Sequence, residues 1–476
     1  MSHGWRAALR PLLGVDTRAL AALRIGLATV LVLDLGQRLT EVQALYSDLG
    51  VLPRRALLEH LAGWDAWSIY LASGTVWWAS ALLTVQLVVA LALLVGYRSR
   101  LACLLSWILL ASLQTRNPMV LQGGDHLIRA MLFWACFTPL GDRASLDRAA
   151  SGRAALDRVV LSWGSAALCL QVGLLYLMAA AMKDGAAWLT GTAVHDALEL
   201  EVYTSRIGLW VLSQDALCRG LTWGSLALEW AAFPLLFLPG LGRLRVPTVV
   251  ALAGLQVGFG LTMNLGLFPL SSLVVMACLL PSTFWDRVWP VRSFRWSGVA
   301  ARPDAVIGGL ATAICALSFV TILSWNYKEL PGVQWTPPKV LRQIVHTVRL
   351  DQRWGMFAPY PRRDDHYYVV PGTLRNDDVV DVWRGGEVDW TKPEVVSETM
   401  PSHRWRRYMA SLYLRKNADV RLYWGRWRCR TWNAEARGPH VLQGFELWTV
   451  EEQTRYGGEP PIPERELLWK HDCFKR

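Results

Sequence analysis

Residues 1–327 are runs of Leu, Ala, Val and Gly broken by short Arg-rich links, and each run approaches the ~20 apolar residues that cross a bilayer. Helices apolar on every face belong in lipid or in a deep core, and the links between these runs are too short to build a soluble shell around them. Residues 328–476 read as ordinary soluble sequence. The chain of 476 residues is 18% charged, below the ~25% usual for soluble domains, and the deficit lies in the first part. The expected architecture is an all-α polytopic membrane domain over 1–327, followed by a mixed, β-rich extracytoplasmic domain over 328–476.

About nine spanning helices are expected, at 19–37, 75–97, 101–115, 126–141, 158–182, 223–242, 247–264, 267–285 and 304–325. Arginine placement orients them. With the N-terminus in the cytoplasm, the cytoplasmic links are 98–100, 142–157, 243–246 and 286–303. Together with the N-terminal tail and Arg158 they hold about 15 Arg, against about seven Lys or Arg in the outer loops. Nine spans then place the C-terminal domain outside, which for a bacterial chain means an inner-membrane protein. The first apolar run follows Arg6, Arg10 and Arg18 without a small-residue cleavage site, so it reads as a retained span.

Composition narrows the partners. The net charge of +11 is spread over membrane links and a mixed-charge tail, with no basic stripe and no nucleic-acid motif, so nucleic acid is not expected. The lipid bilayer is. Many of the 26 Trp, such as Trp77, Trp78, Trp223, Trp285, Trp289 and Trp325, stand at the ends of apolar runs, where indole suits the headgroup level. Six of eight cysteines lie in or beside spans as small apolar fillers. Cys429 and Cys473 fall in the outer domain, where a disulfide persists; pairing is expected, and two free thiols are the alternative. No Cys/His spacing suggests a metal.

In the outer domain, 367–370 and 379–383 flank turn residues and 440–450 alternates, all as strands, while 404–416 has helical spacing. More strand than helix is expected there. Within the spans, ionisable residues are expensive and therefore informative. Asp34, Asp125, His126, Lys183, Glu229 and Asn264 all fall toward the outer half, as a shared cavity requires; snorkelling to headgroups is the competing account. Lys183 ends a long apolar span. Desolvation there favours a neutral amine, which can act as a base.

Several segments carry a resemblance: ALRIGLATVLVLDLGQRL from 22, RNPMVLQGGDHL from 116, QVGLLYLMAAAMKDGAAWLTG at 171–191 and MNLGLF at 263–268. In this order they resemble the horizontally transferred transmembrane (HTTM) domain, the family of the vitamin K-dependent gamma-glutamyl carboxylase, over roughly 15–290. The segment with Gln171, Tyr176, Lys183, Trp188 and Gly191 is the most specific.

The resemblance implies a base at Lys183. It implies a reduced naphthoquinone (vitamin K hydroquinone or menaquinol) with O2 and CO2 as co-substrates, no metal, and glutamate in a secreted peptide or protein as substrate. Asp125 and His126 are expected to assist Lys183. Asn117, Tyr176, Trp188, Glu229, Asn264 and Asp34 are expected to line the pocket. The sequence departs from the family pattern in that Pro118 follows Asn117 and the nearest histidine is His126, which bears on the carboxylation step and not on the base. The other reading is a non-enzymatic membrane factor for maturation or export of a secreted partner. A transporter is disfavoured by the lack of inverted repeats.

Overall fold

The computed structural model describes residues 4–60, 67–151, 158–290, 309–453 and 462–475. A short helix at Gly4–Leu13 precedes nine principal helices: α1 (Thr17–Thr40), α2 (Val76–Val95), α3 (Ser99–Arg116), α4 (Gly123–Ala135), α5 (Trp163–Ala181), α6 (Asp215–Phe237), α7 (Arg245–Thr262), α8 (Phe268–Val275) and α9 (Gly309–Tyr327). Local chemistry sets their ends. Asp16 caps α1 by accepting the Arg18 amide at 2.9 Å. Ser162 caps α5 through the Ser165 amide at 3.1 Å. Gly96 closes α2 in the left-handed region at φ 71°, where a side chain would collide with the Arg24 guanidinium.

Each expected span corresponds to a helix, but not every helix meets the requirements of a span. Among the described residues five are long and apolar enough to cross a membrane: α1, α2, α5, Gly242–Thr262 and α9. A sixth arises if Phe268–Leu279 and Ser282–Val288, bent by 108°, count as one. Helix α4 has 13 residues, a rise of roughly 20 Å against the ~30 Å of a hydrocarbon core. Polar residues dilute α3 (Arg100, Gln114, Arg116) and α6 (Asp215, Arg219, Glu229). Parts of the expected links 142–157 and 286–303, and the start of the expected span 304–325, lie outside the described residues.

The helices have two distinct polar ends. At one, Arg24 donates to the Leu93 and Leu94 carbonyls at 2.8 and 2.9 Å. Asp147 accepts the Arg98 and Ser99 amides there, and Arg245 reaches the Pro11 carbonyl at 2.8 Å. At the other, residues of the C-terminal region bond Val51, Val120, Leu121 and Asn264. The C-terminal region therefore packs against the end opposite the Arg-rich links.

That region holds α10 (Lys339–Thr347), α11 (His403–Tyr413), α12 (Arg421–Glu435) and an antiparallel five-stranded sheet. The strands are β1 (Asp364–Val369), β2 (Pro371–Leu374), β3 (Val379–Asp381), β4 (Leu442–Gln453) and β5 (Glu464–Asp472). Their order is β1-β4-β2-β3, with β5 on the other edge of β4. Tyr367 pairs with Val450 and Phe445 with His471. The strands expected near 367, 379 and 440 form, and so does the helix near 404. The excess of strand over helix does not, because α12 occupies a Trp- and Arg-rich stretch with no apolar stripe to announce it. The disulfide joins Cys429 of α12 to Cys473 after β5, Cα atoms 5.5 Å apart.

The tryptophans divide. Trp77 is 86% exposed and Trp223 and Trp289 are at the surface, as a lipid belt requires, but Trp285 and Trp325 are buried. Their indoles donate to the Leu280 and Gln352 carbonyls, so they serve the core.

Candidate functional site

Helix α5 is apolar almost to its end, stops at Met182, and delivers Lys183 into a turn. Helix α6 crosses beside it and brings Glu229 to the same point. The Lys183 ammonium and the Glu229 carboxylate form a direct hydrogen-bonded ion pair, both side chains buried. Two opposite charges share one apolar pocket, so each offsets part of the other's desolvation. The Lys183 Nζ also sits 4.3 Å from the centre of the Trp188 ring. Trp188 lies on the short helix Ala186–Thr190, one turn beyond the lysine.

A strap from the C-terminal region closes over this point. The Trp188 indole donates to the Phe357 carbonyl at 3.2 Å, and the Gly185 amide donates to the Pro359 carbonyl at 3.1 Å. Phe357 holds φ at 58°, a left-handed conformation uncommon for a bulky side chain. The strap is anchored upstream by Gln352, whose side-chain oxygen accepts from Gln171 at 2.7 Å and from the Trp354 indole at 3.0 Å. The segment 350–361 thus ties the fifth helix to the outer region at the lysine's own position.

Tyr176 lies two turns back on α5, and its hydroxyl accepts from Gln256 Nε2 of α7 at 3.1 Å. The Gln256 Oε1 is buried with no hydrogen-bond partner among the described residues. Lys183, Glu229 and Trp188 thus make one polar spot in an apolar wall, and the Tyr176–Gln256 hydrogen bond lies two turns back along α5.

The expected site acids Asp34 and Asp125 belong to a separate assembly. Asp34 and Asp125 are bridged by two guanidiniums. Arg38 donates to Asp34 and to Asp125, each at 2.7 Å. Arg404 of α11 donates to Asp34 at 2.5 Å and to both oxygens of Asp125 at 2.7 and 2.9 Å. All four are buried, and Tyr46 also contacts Arg38 at 2.5 Å. Asp125 additionally accepts the Gln122 amide, capping α4. His126 bonds Arg129 at 3.1 Å, and Arg129 also reaches Gln114 and the Asp351 carbonyl.

Asn117 bonds the Leu45 carbonyl and caps the turn at Met119, while Asn264 donates to Ser397 at 2.8 Å. Among the described residues, neither Asp125 nor His126 makes a hydrogen bond or ion pair with Lys183 or Glu229. The single polar cluster expected from depth is thus two clusters plus two structural asparagines. Sequence reasoning missed Arg38, Arg404 and Gln256. Arg38 had a signal, four residues after Asp34 on one helix face; Arg404 had none.

No group of three or more His, Cys, Asp or Glu side chains is arranged to hold a metal among the described residues. The HTTM domain model matches residues 14–285, more than half of the chain. This chain belongs to the HTTM domain family. The match ends within the bent α8 region, so the sheet-containing part of this HTTM protein lies beyond it. No curated protein and no solved structure matches the chain.

Proposed function

We propose that this HTTM protein is a vitamin K-dependent gamma-carboxylase-like membrane enzyme. In this reading it draws on vitamin K hydroquinone or menaquinol, with O2 and CO2, to carboxylate glutamate in a secreted peptide or protein. The observation that carries the reading is the buried Lys183–Glu229 pair under Trp188. The residues present suit a reduced naphthoquinone. Trp188 is a buried aromatic against the pair, Tyr176 is another two turns back on α5, and the unpartnered Gln256 Oε1 is an acceptor for a phenolic hydroxyl.

As ammonium and carboxylate, the pair holds one proton fewer than its two groups can carry. A phenolic proton taken up on Glu229, with Lys183 still protonated, leaves one positive charge at the site. That charge balances the phenolate left behind, and the low-dielectric wall strengthens the attraction. Proton transfer from Lys183 to Glu229 first gives the same end state with the amine as the accepting base. The chemistry supplied by the quinol with O2 is the stronger base that takes a gamma proton from glutamate, leaving the carbanion to CO2 and the quinone as its epoxide. Asp125 and His126 enter this reading as groups that hold the outer end together.

The orientation proposed with it has nine membrane segments, a cytoplasmic N-terminus and the C-terminal domain outside. It is supported by the Arg-rich links and by their gathering at the end opposite the C-terminal region. The non-enzymatic alternative draws support from the strap, which covers the lysine with hydrogen-bonded backbone. One assay separates the two. Purified protein in detergent is given reduced quinone, labelled bicarbonate and a glutamate-containing peptide, and epoxide and fixed label are measured. Formation of both supports the enzyme; neither, in protein with an unchanged melting profile, supports the factor.

A further inference from the structure

Two clefts meet where α12 lies along the end of β5, held by the Cys429–Cys473 disulfide. The smaller, about 400 Å³, is lined by Arg426, Arg430, Asn433, His471 and Lys475. The larger, about 1160 Å³, shares Arg426, His471 and Lys475 and runs on over Phe445 and the exposed Phe474.

Charge in these clefts is one-sided. Among the described residues no carboxylate lines the smaller cleft. In the larger, Glu446 is taken by Lys470 Nζ at 2.8 Å. Asp472 is turned to the amides of Phe474 and Lys475, at 3.0 and 3.2 Å. Arg426 and Arg430 are exposed and form no ion pair among the described residues; Arg430 reaches only the neutral Leu49 carbonyl, at 2.7 Å. The two guanidiniums are close enough that Arg426, after burial, holds Arg430 below its ordinary range.

His471 supplies a neutral donor in the floor. Its Nδ1 accepts from the Trp469 indole at 3.3 Å, which leaves the ring proton on Nε2. Burial, then the Arg426 charge, keeps this imidazole below its usual range and therefore uncharged at neutral pH. Gly425 of α12 makes the arrangement possible, since a Cβ there would lie 2.7 Å from His471 Nδ1.

We propose that this cleft docks an acidic peptide, whose carboxylates bridge Arg426 and Arg430 while its apolar side chains lie in the groove over Phe445. Paired guanidiniums beside a neutral donor match carboxylates, and a cationic cleft that continues into a groove of mixed lining, with Pro371, Val379, Leu422 and Phe474 among its polar residues, matches a chain of alternating acidic and apolar residues better than a headgroup alone. The proposal rests on the peptide-carboxylating reading above, and supplies that reading with a docking site set on the sheet-containing region.

The test uses the full chain in detergent and a fluorescein-labelled peptide of alternating Glu and Leu, read by anisotropy without quinol. Wild type should bind it with an affinity that falls steeply with salt. The R426E/R430E double variant should bind at least roughly tenfold more weakly, with an unchanged melting temperature, because two charge-assisted contacts become repulsive. The Gln counterpart of the peptide should bind as weakly. Equal binding by the variant, or by the Gln peptide, overturns the proposal. So does a variant that keeps the peptide but loses stabilisation by phosphatidylglycerol, which makes the cleft a lipid site. Arginine-dependent peptide binding in a protein that carries out no quinol-dependent carboxylation leaves the cleft standing and removes the catalytic reading alone.

Discussion

Arg404 donates to Asp34 at 2.5 Å across 370 positions of sequence. The first principal helix and the eleventh are thereby joined by a buried charge pair, with Asp125 and Arg38 completing a balanced set of two acids and two bases. Such a set contributes little net stability over apolar packing, but removing one member strands the others without solvent.

The first prediction follows from that imbalance. Arg404→Ala leaves two buried carboxylates facing one guanidinium, and should destabilise the purified protein by about 3–5 kcal/mol. Arg404→Lys should recover only part, since an ammonium cannot fork between two carboxylates. Thermal unfolding in detergent reads both. An alanine variant that melts with wild type would mean the network does not hold the C-terminal region in place.

The strap over Lys183 can be lifted by one methyl group. At Gly185 a Cβ would lie 2.7 Å from the Pro359 carbonyl oxygen and 2.8 Å from the Tyr360 ring. Gly185→Ala should loosen 355–360 and speed its amide exchange roughly tenfold, about 1.4 kcal/mol of local opening. Unchanged exchange there would show that the strap has slack to absorb the methyl.

Asp365 in β1 gives a pH signature. Burial, only partly offset by Lys392, raises its pKa to about 7, from 3.8 for an unperturbed carboxyl. Its Oδ1 is buried without a hydrogen-bond partner. The folded state then binds more protons than the unfolded state between those two values, so the stability that Asp365 contributes falls as pH rises from about 4 to about 7. His366, lowered by burial to about 4, works in the opposite sense, losing stability as pH falls from 6.5. The difference between wild type and Asp365→Asn isolates the first effect. The variant's relative stability should increase from pH 4 to pH 7 and level off above; a flat difference would place the Asp365 carboxyl in its ordinary range.

Orientation is tested with single engineered cysteines on intact cells. A site near Asp377 should be labelled by an impermeant maleimide, and one near Ser151 should be protected. The reverse pattern would overturn the nine-segment orientation.

Hydropathy made the helices legible because lipid demands long apolar runs; the strand near 440 was legible from its alternation, one face being more buried, and the one near 367, buried on both faces, from the turn residues that follow it. Helix α12 was not, since its Trp and Arg residues fall on all sides. The site was half legible. Lys183 and Glu229 were visible as costly charges within apolar helices, and their pairing is the cheapest way to bury both. Depth alone could not tell that Asp34 and Asp125 answer to Arg404, because that partner comes from a region with its own solvent-facing pattern. Nor could it tell that Asn117 and Asn264 cap turns and tie segments.

The chemical prediction must take the ion pair into account. Lys183→Ala alone leaves the Glu229 carboxylate buried and unpaired, so lost activity in that variant confounds a missing base with a damaged helix pair. The informative set is Lys183→Ala, Glu229→Gln and the double variant. If the pair is the proton acceptor, each single change should lower quinol-dependent epoxide formation by about 10²–10⁴, the usual cost of losing a positioned base. The double variant should fall no further, because the two groups act as one unit. Its melting temperature should sit above that of Lys183→Ala, since no stranded charge remains. Lys183→Arg, which keeps the ion pair, tells the two routes apart: it should be inactive where the amine is the accepting base, because a guanidinium does not give up its proton, and should keep turnover where Glu229 alone takes the proton. Added small primary amines should restore part of the turnover to Lys183→Ala and none to Lys183→Arg, where the cavity is filled. Wild-type rates of quinol oxidation in either single variant would remove Lys183 and Glu229 from the chemistry and leave them as a buried structural pair.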